Sequence, residues 1–168
     1  MLIKEQQEII QKHQKSAPVK VTPIARDLGL PVYRVSEWGR NLSGMLKKDP
    51  RSPSGYAIFV NASDHDRRKR FTIAHEIGHY MLHESLIKDG IVEDALLRAE
   101  GLSNAVEAQA NAFAADLLMP WHLIRQQQEK GINSIEQLAD AFDVSRDAMS
   151  IRLIGVSYER AQEMNAAE

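Results

Sequence analysis

Arg70-Phe71-Thr72-Ile73-Ala74-His75-Glu76-Ile77-Gly78-His79-Tyr80-Met81-Leu82-His83 is the stretch on which the fold turns. It holds a His-Glu-x-x-His pattern among apolar residues, without proline, and reads as a helix. Residues four apart on a helix share a face, separated by about 6 Å along the axis. His75 and His79 so placed can both donate to one Zn²⁺, leaving a coordination position for water. Glu76 is offset around the helix by roughly 60–100°, so it reaches that water rather than the metal. The chemistry suggested is metal-assisted hydrolysis, with Glu76 as general base and then acid to the leaving amine.

A catalytic zinc site needs a third protein ligand. Glu84, Glu93, Asp94, Glu100, Glu107 and Asp116 all follow the motif closely enough to serve. Glu107 is favoured because it lies in a second strong helix, predicted over 104–118, and rigid elements hold ligands best. Asn111 sits one turn later on the same face, placed to accept a hydrogen bond from a ligand histidine. Ala108, Ala110, Ala112 and Ala114 are small enough to let the two helices approach. His83 extends the ladder by one more turn, but a straight helix cannot wrap three successive turns around one ion. It is read as supporting a ligand or packing. Tyr80, His83 and His122 are candidates for stabilising the transition state.

Working outward, the metal helix is predicted to start near Asp64, with Ser63 and Asp66 as a capping box, and to end near Glu84. Tyr56–Val60 is the best strand, β-branched and aromatic between Gly55 and Asn61. It suits either a core position or an edge on which extended substrate could pair. Residues 2–15 read as a polar helix with a thin apolar stripe. A short helix over 24–28 is stopped by Gly29 and Pro31. Residues 32–35 have strand character, 41–44 a turn, and 49–55 a loop. Residues 85–103, with Gly90 and Gly101, read as loop or broken helix. A helix over 121–130 follows Pro120, and two short helices flank Asp143-Val144. The fold class is α+β, mainly helical: a minimal zincin-like core with a small sheet of few strands.

Bulk composition agrees with one soluble core. The chain has 168 residues, 43% hydrophobic and 26% charged, with 21 basic and 23 acidic residues for a net charge of −2. That balance argues against a protein that coats nucleic acid. Cysteine is absent, so disulfides and thiolate metal sites are excluded and any zinc falls to His and carboxylate. No apolar run approaches the roughly 18 residues a membrane span needs, and no secretory leader is read. The expected compartment is the cytoplasm.

Two further features ask for a role. Residues 134–153 have helix-turn-helix rhythm, with Arg146 and Arg152 on the second helix. Asp147 shares that helix, and Glu136, Asp140 and Asp143 lie nearby, which favours packing or protein docking over DNA binding. Arg67-Arg68-Lys69-Arg70 opens the metal helix against its dipole. It reads as a solvated face balanced by Asp64 and Asp66, with Arg70 in a structural ion pair. Trp38 and Trp121 read as packing anchors.

Residues 70–83 resemble the signature helix of the ImmA/IrrE metallo-endopeptidases. Glu107-Ala108-Gln109-Ala110-Asn111-Ala112-Phe113-Ala114-Ala115-Asp116-Leu117-Leu118-Met119-Pro120 resembles the second signature of that family. The resemblance implies zinc on His75, His79 and Glu107, and Glu76 as base. It also implies a protein substrate: an Xre-like helix-turn-helix repressor or antitoxin, whose cleavage relieves repression. The competing expectation is a toxin or regulatory module of a toxin–antitoxin pair, acting by protein or DNA contact with little hydrolysis. The chain divides on this reading into an N-terminal helix (1–17), a peptidase domain (18–131) and a C-terminal helix-turn-helix-like segment (132–168) packed on it.

Overall fold

A computed structural model describes residues 3–40, 42–88, 91–92 and 103–155. Of the expectations above, Glu93, Asp94 and Glu100 as ligands, and the loop over 93–102, lie outside the described residues.

The first helix, α1 (Lys4–His13), docks through Ile10, which is buried, and Ile9. Helix α2 (Val21–Asp27) buries Val21, Ile24 and Ala25 and stops at Gly29. Gly29 has φ +78°, a left-handed conformation that a side chain disfavours. A three-stranded sheet follows: β1 (Val32–Val35), β2 (Gly44–Lys48) and β3 (Tyr56–Asn61), in the order β1–β3–β2. β1 runs parallel to β3 and β2 antiparallel to it.

The edge position considered for Tyr56–Val60 is therefore overturned: β3 is the central strand, its two faces almost wholly buried. The continuous apolar run fits that burial. The edges are β1 and β2, and β2, the one that lines the cleft, is a strand the sequence does not announce. Gly44, Lys47 and Lys48 carry little strand propensity, and pairing with β3 supplies what they lack.

Helix α3 (Asp66–His83) packs on this sheet, burying Thr72, Ile73, Ala74, Glu76, Ile77, Gly78, His79 and His83 and leaving His75 half-buried. Its N-cap is His65, whose Nδ1 accepts the Arg67 amide at 3.2 Å, and not the expected Ser63. The reason lies upstream. Asn61 Oδ1 takes the Ser63 amide and Asn61 O the Asp64 amide, so the chain is still turning where the capping box was placed.

A 3₁₀ turn (Glu84–Leu86) leads to a small hairpin of β4 (Ile87–Lys88) and β5 (Ile91–Val92). Helix α4 (Ser103–Leu118) lies against α3. Met119-Pro120 ends it, and α5 (Trp121–Glu129) begins at once. Helix α6 (Ile135–Phe142) is capped by Ser134 and closed by Asp143 at φ +53°, and α7 spans residues 146–155. Gln14, just past α1, donates its amide to the carbonyls of Asp116 and Leu117, fastening the N-terminal helix to the end of α4.

Candidate metal centre

Close approach of α3 and α4 creates the site. A Cβ on Gly78 would come within 3.2 Å of the Ala110 carbonyl and the Phe113 ring, so only glycine fits there without displacing α4. Ala110 and Ala114 fill this interface and are fully buried. Ala108 and Ala112, expected to do the same, instead line an open cleft beside it.

At the floor of that cleft His75 Nε2 and His79 Nε2 lie 2.9 Å apart. Each is 3.2 Å from one oxygen of the Glu107 carboxylate. These three side chains are the one set of metal-competent groups found together among the described residues. The spacing suits an ion. Tetrahedral bonds of about 2.05 Å set ligand atoms roughly 3.3 Å apart, close to the edges observed. The donor set, two imidazoles and a carboxylate from two rigid helices, is that of an open, three-ligand centre.

The outer nitrogens are held as well. His75 Nδ1 is 2.9 Å from Asn111 Oδ1. His79 Nδ1 is 3.1 Å from His83 Nδ1, and His83 Nε2 is 2.8 Å from Gln109 Oε1. The His75 and then the His79 ring beside it hold the Glu107 carboxyl far below the usual carboxylate range. Burial presses His75 down, but Glu107 and the Glu76 charge outweigh it and raise its pKa. Burial, with His75 and His83 nearby, leaves His79 lowered.

Glu76 is buried on the same helix and lines the cleft. A Cβ on Gly44 would collide with the Thr72 methyl and sit 3.3 Å from Glu76 Oε1. A glycine in β2 thus lets the strand lie directly over the working face of α3. The cleft has a volume of about 1580 Å³, with β2 along one wall and α7, through Ala148 and Ile151, along another. None of Tyr80, His83 and His122 lines it. The Tyr80 ring meets Tyr56 edge-on, and His122 Nε2 lies 2.7 Å from the Gln14 carbonyl.

The basic run at the start of α3 does more than the solvated face expected of it. Lys69 pairs with Asp66 and Arg68 with Asp64. Arg67, however, reaches Asp140 at 2.8 Å, Asp143 at 3.2 Å and the Val144 carbonyl at 3.0 Å. Arg70 donates to the carbonyls of Val19, Phe142 and Asp143. The two guanidinium groups tie the α6–α7 turn to α3. Both basic residues of α7 are also engaged internally. Arg146 pairs with Glu136, while Arg152 pairs with Asp116 and stacks 4.5 Å over Trp121.

A helix carrying His-Glu-x-x-His, a carboxylate from a second helix and a sheet edge beside them define a metallopeptidase fold. The family model of the IrrE N-terminal-like domain (Peptidase_M78) matches residues 27–153, and the chain belongs to that family. It is 36% identical over 80 residues to the radiation response metalloprotease IrrE of Deinococcus radiodurans, covering 46% of this chain and 24% of that protein. It is 30% identical over 104 residues to the metallopeptidase ImmA of Bacillus subtilis, covering 61% of this chain and 57% of that one. Its fold is also similar to that of a Mycobacterium tuberculosis transcriptional regulator, with TM-score 0.58 and 16% identity, over 90% of this chain and 47% of the other. No described helix is long and apolar enough to cross a membrane.

Proposed function

We propose that the chain is a zinc-dependent endopeptidase that cleaves a partner protein, a helix-turn-helix repressor or antitoxin, in the cytoplasm. The observation that carries the enzymatic reading is the convergence of His75, His79 and Glu107 beside a buried Glu76 at the floor of an open cleft. The resemblance to ImmA/IrrE peptidases carries the choice of substrate.

His75 Nε2, His79 Nε2 and the Glu107 carboxylate would hold the ion. Zinc bound there supplies a Lewis acid that acidifies water and polarises a carbonyl. Glu76 takes the proton from the attacking water and delivers it to the departing amine as the C–N bond breaks, so the enzyme ends unchanged. Asn111 keeps the His75 ring oriented through its Nδ1. Backbone groups of β2 along the cleft offer an extended substrate segment something to pair with. Residues 132–155 serve as a wall of the cleft held by Arg67 and Arg70, rather than as a DNA reader.

The test is metal analysis joined to co-incubation with a helix-turn-helix repressor or antitoxin taken from the genes neighbouring this one. Cleavage fragments are expected from the zinc-loaded protein, none after a chelator, and none from Glu76→Gln, which keeps its zinc. If Glu76→Gln retains the full biological effect, the protein acts by contact alone and the enzymatic reading is overturned.

A further inference from the structure

Three side chains run in series behind the metal centre. Gln109 Oε1 lies 2.8 Å from His83 Nε2, and His83 Nδ1 lies 3.1 Å from His79 Nδ1. With the carboxamide oxygen, which only accepts, facing it, His83 Nε2 carries the hydrogen in this arrangement. In a neutral imidazole the other nitrogen is then bare, and His83 Nδ1 can only accept from His79 Nδ1–H. That leaves the lone pair of His79 on Nε2, the nitrogen 3.2 Å from Glu107 and 2.9 Å from His75 Nε2.

We propose that Gln109 is a positioning residue for the metal centre: through His83 it fixes His79 in the tautomer whose Nε2 lone pair faces the ligand cluster. The proposal rests on the zinc reading above. Its physical content lies in what an apolar residue at 109 would permit. His83 could then carry its hydrogen on Nδ1 and donate it to His79 Nδ1. The hydrogen of His79 would move to Nε2, where it blocks the ligand lone pair. His75 needs no such relay, because Asn111 Oδ1 meets its Nδ1 directly at 2.9 Å. The extra link follows from burial. His79 and His83 are both 3% exposed, so water cannot set their tautomers. Gln109 itself is exposed on α4, two residues after Glu107, and its replacement leaves the core untouched.

The experiment compares the parent with Gln109→Leu, which cannot accept, and Gln109→Glu, which still can. Zinc affinity is measured by chelator competition. Histidine tautomers are read from two-bond ¹H–¹⁵N correlations of the metal-free proteins at about pH 8, above the imidazole range. Gln109→Leu is expected to weaken zinc about tenfold and to spread the His83 hydrogen over both nitrogens. Gln109→Glu should keep the parent's affinity and its Nε2–H. A Leu variant that binds zinc as tightly as the parent overturns the proposal. So does one that loses affinity with its histidine hydrogens unmoved, since that is a merely structural effect. A parent that takes up no zinc overturns the peptidase reading instead, and the metal-free spectra still report whether position 109 sets the tautomers.

Discussion

The two halves of α3 solve opposite electrostatic problems. Its first turns carry Arg67, Arg68, Lys69 and Arg70 at the end where the helix dipole is already positive. Each cation there has been given an anion or carbonyl by the protein, from Asp64 and Asp66 nearby to Asp140, Asp143 and Val144 far along the chain. The last turns carry His75, His79 and His83 in a buried setting. Their outer nitrogens are partnered by Asn111 and by the Gln109–His83 relay, while two inner nitrogens and the Glu107 carboxylate point at one another. Where charge is satisfied internally, the helix is a girder. Where ligand atoms are left converging, it is a reagent.

This contrast is broken most severely, or made sharpest, at Glu76. On the peptidase reading, Glu76→Gln should lower partner cleavage by about 10³-fold, the scale of a lost general base, with zinc content and thermal midpoint unchanged. Quantified fragment release and metal analysis on the same preparation check both halves of that statement. The counterpart at the other end is Arg70→Met. It removes donors from the carbonyls of Val19, Phe142 and Asp143 at a side chain only 17% exposed. A loss of about 2–3 kcal/mol in denaturant unfolding is expected, with zinc affinity preserved. An Arg70→Met protein of full stability would show that these contacts do not hold the fold, and one that sheds zinc as well would show that the two halves are not separable.

Gly78 lies where the two roles meet. A valine there must push α4 away from α3, since a Cβ would already meet Ala110 and Phe113 at 3.2 Å. Gly78→Val should cost about 2 kcal/mol of stability and also weaken zinc, because Glu107 rides on the displaced helix. Parallel measurement of unfolding free energy and chelator competition decides the matter. Unaltered zinc binding would mean that the ligand cluster does not depend on helix spacing.

Legibility in the sequence follows the same divide. That His75, Glu76, His79, Glu107 and Asn111 come together could be anticipated because most of their relations are local: four residues apart on one helix, or one turn apart on another. The mainly helical α+β class was readable from periodicity and from the Tyr56–Val60 run. What escaped was whatever depends on distant partners. The Arg67–Arg70 clamp joins residues more than seventy positions away, and the only local hint was a basic run against the helix dipole. β2 escaped because its lysines and glycine form a strand only once β3 is alongside. The β3 edge option failed because strand order is set by topology, not by the strand's own residues. Gln109 carries no motif, and its part emerges only when His83 is seen between it and His79.

The smallest expected effect lies at the first residue of α3. Asp66 accepts a hydrogen bond from Lys69 at 3.0 Å; that bond, then the Lys69 charge, holds its carboxyl below the ordinary value of 3.8. A carboxyl that ionises more readily in the folded chain stabilises the fold at every pH above its unfolded value. That contribution is lost as the pH falls through the lower, folded value. Asp66→Asn should therefore lower the melting temperature slightly and evenly from neutral pH down to about pH 4, and the gap should close in stronger acid. Because the side chain is 85% exposed, salt should also shrink the gap at neutral pH. A gap that widened in acid would mean Asp66 favours its protonated form in the fold, and that the positive end of α3 is not balanced by this carboxylate.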